Sequence, residues 1–462
     1  PLPVIKTEAS EWLVHHPGST TLRLSYRYFA NQPDAGACWA DPEWMYVNPV
    51  HCLMYREDSM GQPCRLHVRT EGMSTSAGPI IIATSLHGQA DQGYTARDYH
   101  ELVDSPWMAS AQLQRLDWVS EGVAFVLWMH GVQSPDEAMQ AQICRQWAAM
   151  ASVQIQTLGG FPQDEFHFIL VGLPYAFYHG VEHRRCTVLA LGPASEIWTH
   201  LYRELLGVAS HELFHAWNVK SFRPKGMESY RYEGWMYSDL GYVYEGFTTY
   251  YGDLFLVRSS CLLPDEYLEE VNAYLLRHSE NYGRYNHGLR ESSIDTWVDG
   301  YSQSQSAPHR RVSIYAEGML QALHLDLVIR SSTMNNESPA SLDDLIRPLW
   351  KRFEQGPETP GYTQETLTLW LDENAIVPST YKNWTDYFRI HYEQPNSIEE
   401  SLRSILPQFG CRLTTTPNED RIKHLLGLQM KWNQAEPRVE HCVPGSPAAL
   451  AGLGPDDRWL SW

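Results

Sequence analysis

Three observations predict an α+β fold of more than one domain: the length of the chain, a strand-rich first third, and helical periodicity through most of the remainder. At 462 residues the chain exceeds the ~250–300 at which a single core stops growing. The expected division is an N-terminal β-sheet domain over residues 1–155, a mainly helical domain over 156–403, and a small, incomplete module over 404–462.

The elements follow in order. Runs rich in Val, Ile, Tyr and Trp at 21–29, 65–69 and 122–128, broken by Gly, Pro and Asp, are expected as strands of the first domain. Ser134-Pro135-Asp136-Glu137 opens a helix to about residue 156, and 165–173 is a strand. Trp198, Leu201, Leu205, Val208 and Leu213 give 196–219 a helical spacing that Pro224 ends. Helices are expected at 314–329 and 341–353, with a Gly/Pro-rich joint at 356–361. Internal repeats and low-complexity tracts are absent.

The segment 196–219 carries His211-Glu212-Leu213-Phe214-His215. On a helix, four residues advance by about 400°, so two imidazoles stand one above the other and reach a common metal ion. Glu212 lies beside that ion without competing for it, where its carboxylate can take a proton from the attacking water. A third donor is needed, and Glu245, 30 residues after His215 in an aromatic and apolar stretch, is the candidate. Two His and one Glu would leave a fourth position open, the arrangement of a catalytic rather than a structural zinc, as in thermolysin-like gluzincins.

From His211 to Pro224 the chain reads H-E-L-F-H-A-W-N-V-K-S-F-R-P, which resembles the signature of the glycyl aminopeptidase family, zinc gluzincins with a C-terminal PDZ domain. Tyr99-His100-Glu101-Leu102-Val103-Asp104-Ser105-Pro106 resembles that family's E-L-x-D-S-P segment, and Gly180-Val181-Glu182-His183 its G-G-x-E-H strand. Tyr315-Ala316-Glu317-Gly318 sits where the family has Tyr-x-Lys-Gly, so Glu317 reverses a charge, and Val181 replaces the second Gly of a pair. The resemblance implies a thermolysin-like catalytic domain with one zinc per chain on His211, His215 and Glu245. It implies Glu212 as base, Tyr315 as oxyanion donor, Glu182 and Gly180 at the substrate's amino end, and a preference for small first residues such as Gly or Ala. Asn218, Arg223, His183 and Asp104 belong to matched segments with structural support as their default.

The last fifty residues add a module. Leu425-Leu426-Gly427-Leu428 resembles the carboxylate-binding loop of PDZ domains, with a strand at 438–443 and a short helix around Pro447. Such modules take a peptide as an added strand, so a peptide or protein ligand is an expected partner. This one is incomplete, stopping before the helix that forms the groove's far wall.

Composition agrees with a large soluble enzyme. A formal charge of −20 opposes nucleic acid, whose phosphates would be repelled, and favours a cationic amino terminus. No apolar run approaches the ~18 residues of a membrane span. Eight cysteines lie far apart without a C-x-x-C pair, which points to buried thiols and a reducing cytoplasm. The chain begins Pro1-Leu2-Pro3 without an initiator Met, which leaves a removed signal peptide open. Two rival functions stay open beside the aminopeptidase: an endopeptidase with the same zinc machinery, and a non-catalytic scaffold that binds through the PDZ part.

Overall fold

The structure is a computed structural model that describes residues 2–16, 18, 21–300, 307–354, 360–416, 422–432 and 436–460. It divides into two compact units, one of 1–113 with 229–236, the other of 114–228 with 237–462.

The first unit is built of short antiparallel strands. Cys38–Ala40, Trp44–Val47, Trp107–Ser110 and Ile81–Thr84 form one sheet in that order, and Cys64–Leu66, Gly93–Ala96 and His87–Gln89 a second. The helix Tyr99–Val103 is capped by Asp98, whose carboxylate accepts from the Glu101 N–H. Tyr99, Leu102 and Val103 on that helix pack with Leu86 and Tyr94 into a small core that Tyr232 of the 229–236 segment also touches. The strand expected at 21–29 does not form: these residues join no sheet, and Leu22, Leu24, Tyr26, Tyr28 and Phe29 are exposed. Alternation supplied the right residue types, but no partner strand takes up their backbone groups.

The second unit opens with a five-stranded mixed sheet in the order Gln114–Ser120, Val123–His130, Glu165–Gly172, Cys186–Gly192, Phe177–Glu182. Val123–His130, Glu165–Gly172 and Cys186–Gly192 run parallel, while both outer strands are antiparallel to their neighbours. The helix Glu137–Leu158 makes the crossover, started by Asp136 accepting from the Met139 N–H and stopped by Gly159 at φ 86°. The expected boundary at 155 therefore falls inside a helix. The run at 122–128 belongs to this sheet rather than to the N-terminal strands: Val123, Phe125 and Leu127 on one face join the core formed with that crossover helix and the helices that follow.

Trp147, Phe125, Phe166 and Phe168 on the sheet side meet Phe214, Trp217, Tyr251 and Phe255 on the helical side in one continuous core. The motif helix is Tyr202–Phe214, shorter than the 196–219 expected. Beyond Phe214 the chain tightens into three-residue turns, with Ala216 N–H bonding Leu213 O and Trp217 N–H bonding Phe214 O, so His215 sits at the helix end with helical backbone angles. Helices at Ala316–Thr333 and Leu342–Phe353 match expectation. The joint at 356–361 lies mostly outside the described residues. Near the C terminus, Leu428–Lys431 pairs with Arg438–Cys442, and Leu428, Val439 and Ala448 form a separate small core. No helix among the described residues is long and apolar enough to cross a membrane.

Candidate active site

Two elements bring the predicted donors together. His211 and His215 come from the last turn and end of the motif helix. Glu245 comes from the wide π-helical turn Tyr242–Phe247, which runs into the helix Thr248–Arg258; such turns recur at functional sites because they re-aim a side chain within a continuous helix. The Nε2 atoms of His211 and His215 face each other at 3.0 Å. Glu245 Oε2 stands 3.5 Å from the first and 3.4 Å from the second. Among the described residues, these three form one of two groups of side chains whose donor atoms lie within 4.8 Å of one another.

The donor set fits a metal ion. Two unprotonated ring nitrogens at 3.0 Å repel unless a cation joins them, and donors of a tetrahedral zinc with bonds near 2.0–2.1 Å stand about 3.3 Å apart. The Asn218 carbonyl, 2.7 Å from His215 Nδ1, accepts a hydrogen bond from the Nδ1–H, which leaves Nε2 as the atom that could hold a metal. Burial opposes positive charge at His215, but the Glu245 carboxylate beside it outweighs this and pushes the imidazole up to about 10, so the pocket favours a positive charge that a bound cation would supply in place of the proton. The same proximity holds Glu245 below the usual carboxylate range against its burial.

Glu212 forms the second group with Glu182 and His215. Its carboxyl is buried, which raises its pKa, with His215 working against that and Glu182 adding to it. The Thr187 hydroxyl reaches its Oε2 at 3.5 Å. Glu182 and Gly180 lie on the edge strand Phe177–Glu182, which pairs on one side only. Side chains of 178, 180 and 182 share a face, and a Cβ at Gly180 would collide with Glu212 Oε1. Glycine there leaves the carboxylate its place.

Tyr315 precedes the helix Ala316–Thr333, its ring 6.4 Å from that of His211 at 30°. The approach depends on two glycines: a Cβ on Gly246 would be 2.5 Å from Gly318 Cα, so the Glu245 turn and the Tyr315 helix meet backbone to backbone. Glu317 carries the reversed charge. It is buried and hydrogen-bonded to His278 Nδ1, whose Nε2 is 3.1 Å from Glu399. Burial opposes the charged imidazole, yet the two carboxylates outweigh it and push His278 up to about 9.

All seven predicted site residues thus converge. Asn218 and Thr187 were not foreseen in these roles. Asn218 acts through its backbone carbonyl while its amide donates to Val243 O and Thr248 Oγ1, and a main-chain acceptor leaves no trace in side-chain chemistry. The offset of three from a ligating His was the available signal. His183 bonds Cys186 O through its N–H and belongs to neither donor group. Arg223 donates to Glu228 O and Lys220 O, a supporting role.

Residues 204–321 match a family model described as M61 glycyl aminopeptidase, and residues 1–111 that of the peptidase M61 N-terminal domain. No curated protein sequence matches the chain. The crystal structure of an aminopeptidase N family protein from Idiomarina loihiensis is similar at a TM-score of 0.85 and 23% identity, over 100% of this chain and 78% of that one. A mutant M1 zinc metallopeptidase from Deinococcus radiodurans, bound to a Tyr-Ser-Ala substrate, is similar at 0.51 and 16% identity, over 86% and 82%. At these identities the likeness is one of fold.

Proposed function

Because the chain belongs to the M61 glycyl aminopeptidase family of zinc metallopeptidases, we propose that it removes single residues from the free amino ends of peptides, favouring Gly or Ala. One zinc per chain is held by His211, His215 and Glu245. When bound, zinc supplies Lewis acidity, lowering the pKa of water towards 7 and polarising the scissile carbonyl. Glu212 takes the water's proton and passes it to the leaving amine. The Tyr315 hydroxyl donates to the developing oxyanion. Glu182 holds the substrate's ammonium in a charge-assisted hydrogen bond, and Gly180 lets the substrate backbone approach the edge strand.

The observation that carries this reading is the second carboxylate group: Glu182 offers an oxygen within 4.8 Å of the Glu212 and His215 donor atoms. An endopeptidase has no use for an acid there, whereas an exopeptidase needs one to measure off the amino terminus. The hairpin Leu428–Lys431 with Arg438–Cys442, entered through Gly427 at φ 66°, supports a PDZ-like module with a peptide ligand. The wide spacing of the eight cysteines, without a C-x-x-C pair, supports a reducing, cytoplasmic setting.

The test is a panel of dipeptide amides with Gly, Ala, Leu, Phe and Glu first, run before and after chelation. The proposal expects highest kcat/KM for Gly or Ala, loss of turnover on chelation, and recovery at one zinc per chain. Turnover that survives complete chelation, or a best substrate with a large first residue, contradicts it.

A further inference from the structure

The chain leaves the motif helix in tight turns that return Asn218 to His215, with Asn218 N–H bonding Phe214 O at 3.1 Å and Lys220 N–H bonding His215 O at 2.9 Å. The main-chain carbonyl of Asn218 meets His215 Nδ1 at 2.7 Å, but its side chain serves a different element. Asn218 Nδ2 donates to Val243 O at 2.9 Å and to Thr248 Oγ1 at 3.3 Å, on either side of Glu245 in sequence. The Thr248 hydroxyl itself donates to Tyr244 O at 2.7 Å, so it accepts from the amide, and Val243 O can only accept. These partners fix which way round the carboxamide lies. One residue therefore bonds the elements of two metal donors, His215 through its backbone and the Glu245 turn through its side chain.

The remaining carboxamide atom, Oδ1, accepts from the Tyr362 hydroxyl at 3.2 Å, and Tyr362 comes from a third stretch of chain, 144 positions on. Its backbone is anchored: Tyr362 N–H bonds Arg223 O and Lys225 N–H bonds Tyr362 O, each at 2.9 Å, as one parallel bridge to Pro224. That approach requires Gly361, where a Cβ would stand 2.5 Å from Lys225 N. The Tyr362 ring lies edge-on to Phe222, with centroids 6.0 Å apart. Asn218 and Tyr362 are both buried. An apolar side chain of similar size would serve packing as well, whereas a buried carboxamide is kept only when its polar atoms are met. Here both N–H groups and the oxygen have partners.

We propose that the Asn218 carboxamide, braced by the Tyr362 hydroxyl, is a positioning group for the metal donors: it ties the Glu245 turn to the end of the motif helix and so holds Glu245 and His215 at the spacing zinc needs, given the donor set proposed above. A π-helical turn departs from the regular ladder around it, so the aim of Glu245 depends on what holds that turn. Asn218 bonds it from outside, at Val243 O within the turn and at Thr248 Oγ1 just after it. Tyr362 in turn keeps the carboxamide from rotating away. Neither side chain is in the donor set, so their effect runs through His215 and Glu245. Removing an outer partner of this kind typically costs about 10–100-fold in metal affinity.

The experiment measures the zinc dissociation constant by competition with a chromophoric chelator, and the visible spectrum of the cobalt(II)-substituted protein, for wild type, Asn218→Ala, Tyr362→Phe, His215→Ala and Tyr387→Phe. Asn218→Ala removes the carboxamide but keeps the main-chain carbonyl at His215, and Tyr362→Phe removes one hydroxyl. Tyr387→Phe is the control, since it takes an equally buried phenol from His324, 2.9 Å away. Zinc should bind Asn218→Ala and Tyr362→Phe more weakly by about 10-fold or more, with altered cobalt spectra, while Tyr387→Phe binds it as wild type does. Affinity within about twofold of wild type and an unchanged spectrum in both variants overturn the positioning role, whatever their melting temperatures. An equal loss in Tyr387→Phe overturns it too, because it marks general loosening. Should Asn218→Ala fail to fold, Tyr362→Phe decides by the same thresholds. Zinc held as tightly by His215→Ala as by wild type overturns the donor set and the positioning with it; zinc lost in His215→Ala but kept in Asn218→Ala and Tyr362→Phe overturns the positioning alone.

Discussion

Glu212 and Gly180 form a matched pair at the scale of single residues: the carboxylate does the work proposed for it only where the missing side chain opposite leaves room. Glu212→Gln should keep stoichiometric zinc, because His211, His215 and Glu245 are untouched, while kcat falls by about 10²-fold or more, the usual worth of a positioned general base. Gly180→Ala should also lower kcat, since the added methyl collides with Glu212 Oε1. Its melting temperature should stay within a few degrees, because the carboxylate can swing where the strand need not. Metal analysis, steady-state kinetics and a thermal scan check both. A Gly180→Ala enzyme of full activity would mean that Glu212 does not need its present position.

Among elements, the buried His278 links three helices: Pro264–Glu280, which carries it, Ala316–Thr333 through Glu317, and Glu399–Ile405 through Glu399. This accounts for the reversed charge at 317, which balances an imidazolium instead of disturbing Tyr315. The folded-state pKa of His278 is raised from 6.5 to about 9, so between those values the folded chain binds a proton that the unfolded chain has released. Its contribution to stability is complete below about 6.5 and fades as pH rises through about 9. Denaturant unfolding from pH 6 to 9.5 should therefore show wild type losing stability on the order of 3 kcal/mol relative to His278→Gln, which is less stable at pH 6 and flatter. Parallel curves would remove the charged-His account. The motif helix and the Ala316–Thr333 helix were legible in sequence because apolar spacing over several turns reports its own period. The closing of the Tyr315 helix on the Glu245 turn was not, because it depends on two glycines 72 positions apart, Gly246 and Gly318, meeting in space. The extended 21–29 segment was misread because strand-like residue types do not say whether a partner strand exists.

At the scale of the molecule, the pattern of side chains indicated a β-rich beginning and a helical catalytic part, but it could not assign residues 114–130 to the second unit, since sheet order is set by long-range pairing. The same pairing puts Phe177–Glu182 at the edge, which no local pattern encodes and which the proposed function requires. A formal charge of −20 favours the approach of ammonium groups, yet a diffuse field does not distinguish a peptide's terminus from its lysines; in the proposed function that discrimination falls to Glu182. The most direct measurement is kcat/KM for one peptide with a free and an N-acetylated amino end, on wild type and Glu182→Gln. Losing one partner of a desolvated charge pair costs about 2–5 kcal/mol, or roughly 30- to several-thousand-fold. The predicted result is strong wild-type discrimination against the acetylated peptide, with Glu182→Gln losing at least about 30-fold on the free peptide only. Rapid wild-type cleavage of the acetylated peptide, or equal losses on both in the variant, would contradict it.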